Sequence, residues 1–155
     1  MKNIAPFVTD MKAGTVTKRR AAAAALGRSG NETAIPALAG ALADPHPTVR
    51  CEVMQALGRL GDTSAVPVLI QALGDTEPLV RVAALAALGR IRDPQSAPAI
   101  IRLLKDREIE VRIGAVAVLG RLGDRSAVEP LKSLLADPFS EVREAAQATL
   151  LRLGK

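Results

Sequence analysis

Residues 49–62 read VRCEVMQALGRLGD and residues 80–93 read VRVAALAALGRIRD, one phrase displaced by 31 positions. It returns at 111–124 as VRIGAVAVLGRLGD, at 142–155 as VREAAQATLLRLGK, and in altered form at 18–31 as KRRAAAAALGRSGN. The period never slips, so the 155 residues divide into five rows of 31: 1–31, 32–62, 63–93, 94–124 and 125–155. Self-similarity at this period marks a repeat array in which each unit leans on its neighbours. Composition points the same way. The chain is 48% hydrophobic, yet it has no Trp, no Tyr and only Phe7 and Phe139. Its core must be built from closely packed Ala, Leu, Val and Ile, which suits thin helical layers better than a sandwich or barrel.

Two helical periods fit inside each row. Early in the row, Ile35, Leu38 and Leu42, and likewise Val66, Leu69 and Leu73, recur at the spacing of one helix face. Pro36, Pro67 and Pro98 mark the first turn of this helix, and Asn31, Asp62 and Asp93 are its candidate caps. Later in the row a second apolar face appears, for example Val80, Ala84, Ala87, Leu88 and Ile91. Asp44, Asp75, Asp106 and Asp137 occupy the turn between the two helices. Gly30, Gly61, Gly123 and Gly154 close the row with residues that tolerate a left-handed backbone. The fold expected is all-α, a single solenoid of five helical hairpins, with residues 1–31 as a worn N-terminal cap.

A helical hairpin with Asp in its turn and a Val-Arg pair opening the second helix resembles the HEAT repeat. The pairs here are Val49-Arg50, Val80-Arg81, Val111-Arg112 and Val142-Arg143. The 31-residue length, with A-V-P-x-L followed by A-L-G-R-L-G-D, looks more specifically like the phycobilisome-lyase type of HEAT-like repeat. That resemblance implies a right-handed superhelix whose second helices line a concave groove. It implies little about chemistry, because such repeats serve scaffolds, chromophore-lyase subunits and metal-dependent hydroxylases alike. Row 1 departs from the pattern with Ala13 in place of the turn Asp and Lys18 in place of Val, which puts its share in any inter-repeat ladder in question.

The net charge of +5 and a pI near 10.0 invite a nucleic-acid reading, but ten of the arginines recur at just two positions of the row. Arg19, Arg50, Arg81, Arg112 and Arg143 recur at one position of the row. The last four share their rows with the turn aspartates Asp44, Asp75, Asp106 and Asp137, and the five arginines are read as a structural ladder, because the planar guanidinium suits a carboxylate. Arg28, Arg59, Arg90, Arg121 and Arg152 recur at a second position. These are read as helix C-terminal residues favoured by the dipole or paired with Asp62, Asp93 or Asp124, with a row of anion-binding guanidinium groups as the functional alternative. The ten arginines stand against seven framework acids, so three of the five excess charges belong to the repeat itself. Nucleic acid is disfavoured as a partner, since single-strand binders add aromatic stacking platforms.

The outward side of the second helices is the expected functional surface. Cys51, Met54, Gln55, Leu79, Val82, Leu85, Ala86, Ile113, Val116 and Ala117 form a candidate partner-binding groove with an apolar centre. Inter-repeat packing is the competing account, chiefly for Met54, Leu85 and Val116. No catalytic constellation emerges. His46 and Cys51 are too few for a metal site, the glycines recur singly as helix punctuation, and no cofactor is expected. The hydroxylase branch of the family would need His-Glu pairs, and the sequence has none. The expected function is a non-catalytic scaffold for another protein or peptide. An accessory subunit of a tetrapyrrole lyase, with Cys51 as a participant, is the alternative, and a binder of acidic ligands or nucleic-acid backbone the third. A single cysteine and no membrane-length apolar run suggest the cytoplasm. Leu150, Leu151 and Leu153 end a helix with no successor to cover it, so a homodimer, end-to-end association or a longer array is expected.

Overall fold

Proline sets where the first helices begin. Pro6, Pro36, Pro67 and Pro98 each occupy the first turn of a helix, where a missing N–H costs nothing. The computed structural model describes residues 3–155, and the first two residues of the opening row lie outside it. Among the described residues there are ten α-helices and no strand, an all-α repeat fold. The first helices of the rows are α1 (Ala5–Ala13), α3 (Ile35–Gly40), α5 (Val66–Ala72), α7 (Ala97–Arg102) and α9 (Val128–Ser133). The second helices are α2 (Val16–Arg28), α4 (Pro47–Leu60), α6 (Pro78–Ile91), α8 (Ile109–Leu122) and α10 (Ser140–Arg152).

The expected caps act one turn earlier than the sequence suggested. Asn31, Asp62 and Asp93, joined by Asp124 at the matching position of the next row, accept bonds from the backbone N–H two residues on, at 3.0, 2.7, 2.8 and 2.8 Å. Each thereby opens a single 3₁₀ turn that leads into the α-helix. The carboxylates of Asp62, Asp93 and Asp124 are spent on capping. Arg59, expected to reach Asp62, instead pairs with Glu52 at 3.2 Å on its own helix.

The chain forms two compact units, Met1–Ile91 and Arg92–Lys155. In the first, α4 lies between α2 and α6, and α1, α3 and α5 pack beside their own second helices. Leu26, Leu38, Leu57, Leu69 and Leu88 are fully enclosed there. In the second, α8 packs on α10, with α7 and α9 alongside, around Ile100, Leu119 and Leu131. Each such side chain contributes roughly 1.5–3 kcal/mol by leaving water.

Neighbouring second helices approach unusually closely, and a glycine allows it. A Cβ on Gly27 would stand 2.6 Å from the Cα of Ala56, and one on Gly58 would stand 2.9 Å from the Cα of Ala87. These glycines lie inside their helices, so they are joints between rows and not helix punctuation. Met54 precedes Gly58 by four residues and Val116 precedes Gly120 by four, which puts each pair on one helix face. Met54 and Val116 are accordingly sealed in the core, at 0% and 1% exposure, and Leu85 is buried as well, at 1%. The placement of all three in the groove is corrected: they are core residues, and at Met54 and Val116 the close approach of the neighbouring helix turns the stripe inward.

Carboxylate–guanidinium pairs cross from row to row. The Arg19 Nε and Nη2 donate to Asp44 at 2.6 and 3.0 Å, and those of Arg50 donate to Asp75 at 2.8 and 3.0 Å. Arg112 meets Asp137 at 2.9 Å through Nε and 3.2 Å through Nη2, with the Phe139 ring 5.7 Å from its guanidinium. The remaining Nη1 of Arg19, Arg50, Arg81, Arg112 and Arg143 donates to a carbonyl of its own turn, at 2.7–2.8 Å. Row 1 therefore joins the ladder despite Ala13, because the acid that Arg19 needs belongs to row 2. Asp106 accepts the Glu108 N–H at 2.9 Å, the same turn-closing bond that Asp44, Asp75 and Asp137 make. Burial alone would raise the carboxyls of Asp44, Asp75 and Asp137. The guanidinium and the backbone N–H outweigh it and hold all three below the usual carboxylate range.

Candidate functional site

The second helices of the unit Met1–Ile91 leave one face uncovered, and their alignment fixes what it displays. Because α2, α4 and α6 repeat one phrase in register, equivalent residues lie side by side across it. A groove of about 540 Å³ runs there. Arg20 comes from α2; Thr48, Cys51, Glu52, Gln55 and Arg59 come from α4; Leu79, Val82, Ala83, Ala86 and Arg90 come from α6. Of the ten groove residues read from the sequence, Cys51, Gln55, Leu79, Val82 and Ala86 are brought together here. Ile113 and Ala117 belong to α8 in the other unit, half-buried and exposed respectively. Met54, Leu85 and Val116 are in the core as described.

The floor is apolar and the rim is charged. Leu79 is 72% exposed, Val82 and Ala83 are half-buried, and Ala86 is exposed. Arg20, Arg59 and Arg90 stand around them, all exposed. The lining holds one acid, Glu52, which is engaged by Arg59 at 3.2 Å; Arg59 also donates to the Gln55 side chain at 3.2 Å. The other three arginines of the Arg59 position, Arg28, Arg121 and Arg152, are exposed outside this groove. Arg20 holds the same row position as Cys51 and Val82, whereas Thr48, Glu52 and Ala83 are lining residues that the sequence reading left out; the helical spacing of Thr48, Cys51 and Glu52, and of Leu79, Val82 and Ala83, was the signal that could have found them.

Cys51 does not have the surroundings of a nucleophile. Burial first, and the Asp75 charge next, push its thiol above its ordinary value, which keeps it protonated at neutral pH. His46 lies exposed in its turn with Nδ1 2.8 Å from the Thr48 hydroxyl. Among the described residues no three His, Cys, Asp or Glu side chains gather as metal ligands, and no helix is long and apolar enough to cross a membrane. A second cleft of about 620 Å³ lies between α1 and α3, lined by Val8, Met11, Pro36 and Ala37 among others. Its charged groups are Lys12 and Asp44, and Asp44 is committed to Arg19. In the unit Arg92–Lys155 a cleft of about 420 Å³ is lined by Leu135, Ser140, Arg143, Glu144 and Gln147. Of the terminal leucines, Leu150 is buried within its unit, Leu153 is half-buried and Leu151 is 69% exposed.

The model of the HEAT repeats matches residues 11–78 and 66–151. A search of curated proteins finds no match. Among solved structures, a chain of the complex of CpcE and CpcF of phycocyanin lyase from Nostoc sp. PCC7120 is similar over 99% of this sequence, with 27% identity and a TM-score of 0.81. This sequence spans 65% of that chain. A designed armadillo repeat protein in complex with peptide (KR)4 aligns over 97% of this sequence and 81% of its own, with 20% identity and a TM-score of 0.71. Human deoxyhypusine hydroxylase aligns over 97% and 84%, with 16% identity and a TM-score of 0.53. At such identities the last two speak to the fold alone.

Proposed function

This chain belongs to the HEAT repeat family, and on that premise we propose that it is a non-catalytic scaffold that holds another protein or peptide against its second helices. The observation that carries the reading is the groove of α2, α4 and α6, where Leu79 is 72% exposed over an apolar floor. A leucine so placed gains only when a partner covers it, and an exposed apolar patch rimmed by polar groups is the usual form of an interaction surface. An accessory role in a lyase assembly is the second reading. The likeness to a CpcE/CpcF chain favours it. Such a role would also consist of holding a partner, because the raised thiol of Cys51 suits packing better than nucleophilic attack.

The test compares the protein with the double variant Leu79→Glu/Ala86→Glu, immobilised and exposed to lysate of the source cells, with circular dichroism as the check on folding. Both positions are exposed, so the helical signal should be unchanged. Proteins retained by the parent and lost by the variant support the reading. An identical set on both, or none on either, overturns it. Recovery of a phycobilin-carrying protein or its lyase partner in the sensitive set would favour the second reading over a general scaffold.

A further inference from the structure

The charges around the groove are only partly paired, Arg59 with Glu52, and they do not balance, which identifies the chemistry of what fits there. Three arginines rim an apolar floor whose only acid, Glu52, is already held by Arg59. We infer that the groove of α2, α4 and α6 takes an acidic peptide segment carrying an apolar side chain, with carboxylates on Arg59 and Arg90 and the apolar residue over Leu79 and Val82. The inference rests on the scaffold reading and narrows its partner class.

Charge complementarity sets the sign. A basic segment would bring like charges together on Arg20, Arg59 and Arg90, and like-charge juxtaposition is how interfaces reject wrong partners. An acidic one gains charge-assisted bonds to planar guanidinium groups that present paired donors. The net charge of +5 adds long-range attraction for an anionic partner. The floor separates a peptide from a nucleic acid. A phosphate backbone has nothing to place on Leu79 and Val82, and the groove lining holds no aromatic ring on which a base could stack.

Spacing sharpens the inference. Arg59 and Arg90 hold the same position on α4 and α6, helices brought close by Gly58, and packed helix axes lie about 8–10 Å apart. A polyproline-like segment rises about 3.1 Å per residue with three residues per turn, so side chains three apart lie on one side about 9 Å from each other. Acids at i and i+3 therefore match the two arginines, and the residues between them can turn an apolar side chain to the floor.

The test uses fluorescence anisotropy with the intact protein and labelled twelve-residue peptides. The first has Glu at every third position with Leu between. The second replaces Glu by Lys, the third replaces Leu by Ser, and a twelve-base-pair DNA duplex is the fourth probe. The Glu/Leu peptide should bind, weaken at least about tenfold between 50 and 500 mM salt, and exceed the Lys peptide by at least about tenfold and the Ser peptide by about fivefold. Arg59→Glu and Arg90→Glu should each weaken it at least about tenfold, while Arg102→Glu, an equal charge change on a first helix, should stay within about twofold. Arg90→Gln, with circular dichroism, guards against misfolding of the reversal.

Equal binding of the Glu and Lys peptides, no binding of the Glu/Leu peptide, or an equal loss in Arg102→Glu would overturn the inference. Tighter binding of the duplex would overturn it in favour of a nucleic-acid backbone. Should acidic peptides fail while lysate capture remains sensitive to Leu79→Glu/Ala86→Glu, the partner class is wrong and the scaffold reading stands; insensitive capture removes both.

Discussion

In the unit Met1–Ile91 the outward positions of the second helices carry Arg20, Arg28, Arg59 and Arg90 against Glu52; in the unit Arg92–Lys155 they carry Arg121 and Arg152 against Glu110, Glu141 and Glu144. One face is basic over an apolar floor; on the other, where Arg143 also lines the cleft beside Glu144, the charges are close to balanced. Beneath them the two units share their joints: a glycine at one helix–helix contact, an Arg–Asp pair between rows, and an Asp-capped 3₁₀ turn. Stacking requires the joints and is indifferent to the outward positions, so those can differ in charge at no cost to the fold. Such separation of what holds the array together from what it displays is the general logic of solenoids.

The sharpest way to test that the joints are equivalent is to damage one in each unit. Gly58→Ala places a Cβ 2.9 Å from the Ala87 Cα, where backbone must move. Gly120→Ala meets Thr149 Cγ2 at 2.9 Å and Arg152 Nη2 at 2.8 Å, and the arginine tip can swing away. Overpacking costs typically about 1–3 kcal/mol and the gain in helix propensity returns up to about 1. Gly58→Ala should therefore lose roughly 1–2 kcal/mol and Gly120→Ala less than about 1, read from urea midpoints by circular dichroism. Gly58→Leu should lose about 3 kcal/mol or more. Equal losses for the two alanine variants would mean that the unit-to-unit difference at this joint is not real.

The ladder offers a smaller contrast. Removing Asp75 leaves Arg50, at 12% side-chain exposure, without its carboxylate. Breaking a buried pair costs several kcal/mol and an exposed one almost nothing, so Asp75→Ala should cost about 2 kcal/mol. Asp137→Ala should cost about 0.5–1 kcal/mol less, because the Phe139 ring still faces Arg112. Acid provides the independent readout. The carboxyls of Asp44, Asp75 and Asp137 are depressed in the folded chain. Their stabilisation is fully present above the ordinary carboxylate range near pH 4 and is lost as pH falls through the lower folded values. Stability should decline below about pH 4, and Asp75→Ala should flatten that decline. A variant with the parent's full acid sensitivity would show that Asp75 does not contribute to it.

The hairpins, the caps and the ladder were legible because each repeats with the period, and repetition in register exposes a shared requirement. Two things were not legible. Met54, Leu85 and Val116 sit at the edge of the apolar stripe, where a helical wheel alone cannot say whether the next helix covers them. For Met54 and Val116 what decides is Gly58 and Gly120 four residues on, and a glycine inside Leu-Gly-Arg reads in sequence as punctuation. The charge contrast between the units was hidden for a different reason. Counting by position averages over rows, so Arg20 and Glu144, which occupy the same position in different rows, cancel on paper while lying on different units. Periodicity finds what the rows have in common, whereas partner choice lies in how they differ.

The smallest effect concerns the residue that opens the second unit. Gly30 and Gly61 in the first unit, and Gly123 and Gly154 in the second, adopt φ of 67–75° where a row ends. Row 3 has Arg92 at the equivalent place, exposed, with φ 59°. A left-handed conformation costs a residue with a Cβ roughly 1–2 kcal/mol, while glycine loses about 0.5–1 kcal/mol more chain entropy on folding. Arg92→Gly should therefore stabilise by about 0.5 kcal/mol, a rise in thermal midpoint of about 1–2 °C. Gly61→Ala imposes the same conformation on a side chain in the first unit and should lower the midpoint by about 2–4 °C. If Arg92→Gly instead lowered it, the Arg92 side chain would be contributing more to its unit than its left-handed backbone costs, and this row end would be a joint of a different kind from the other four.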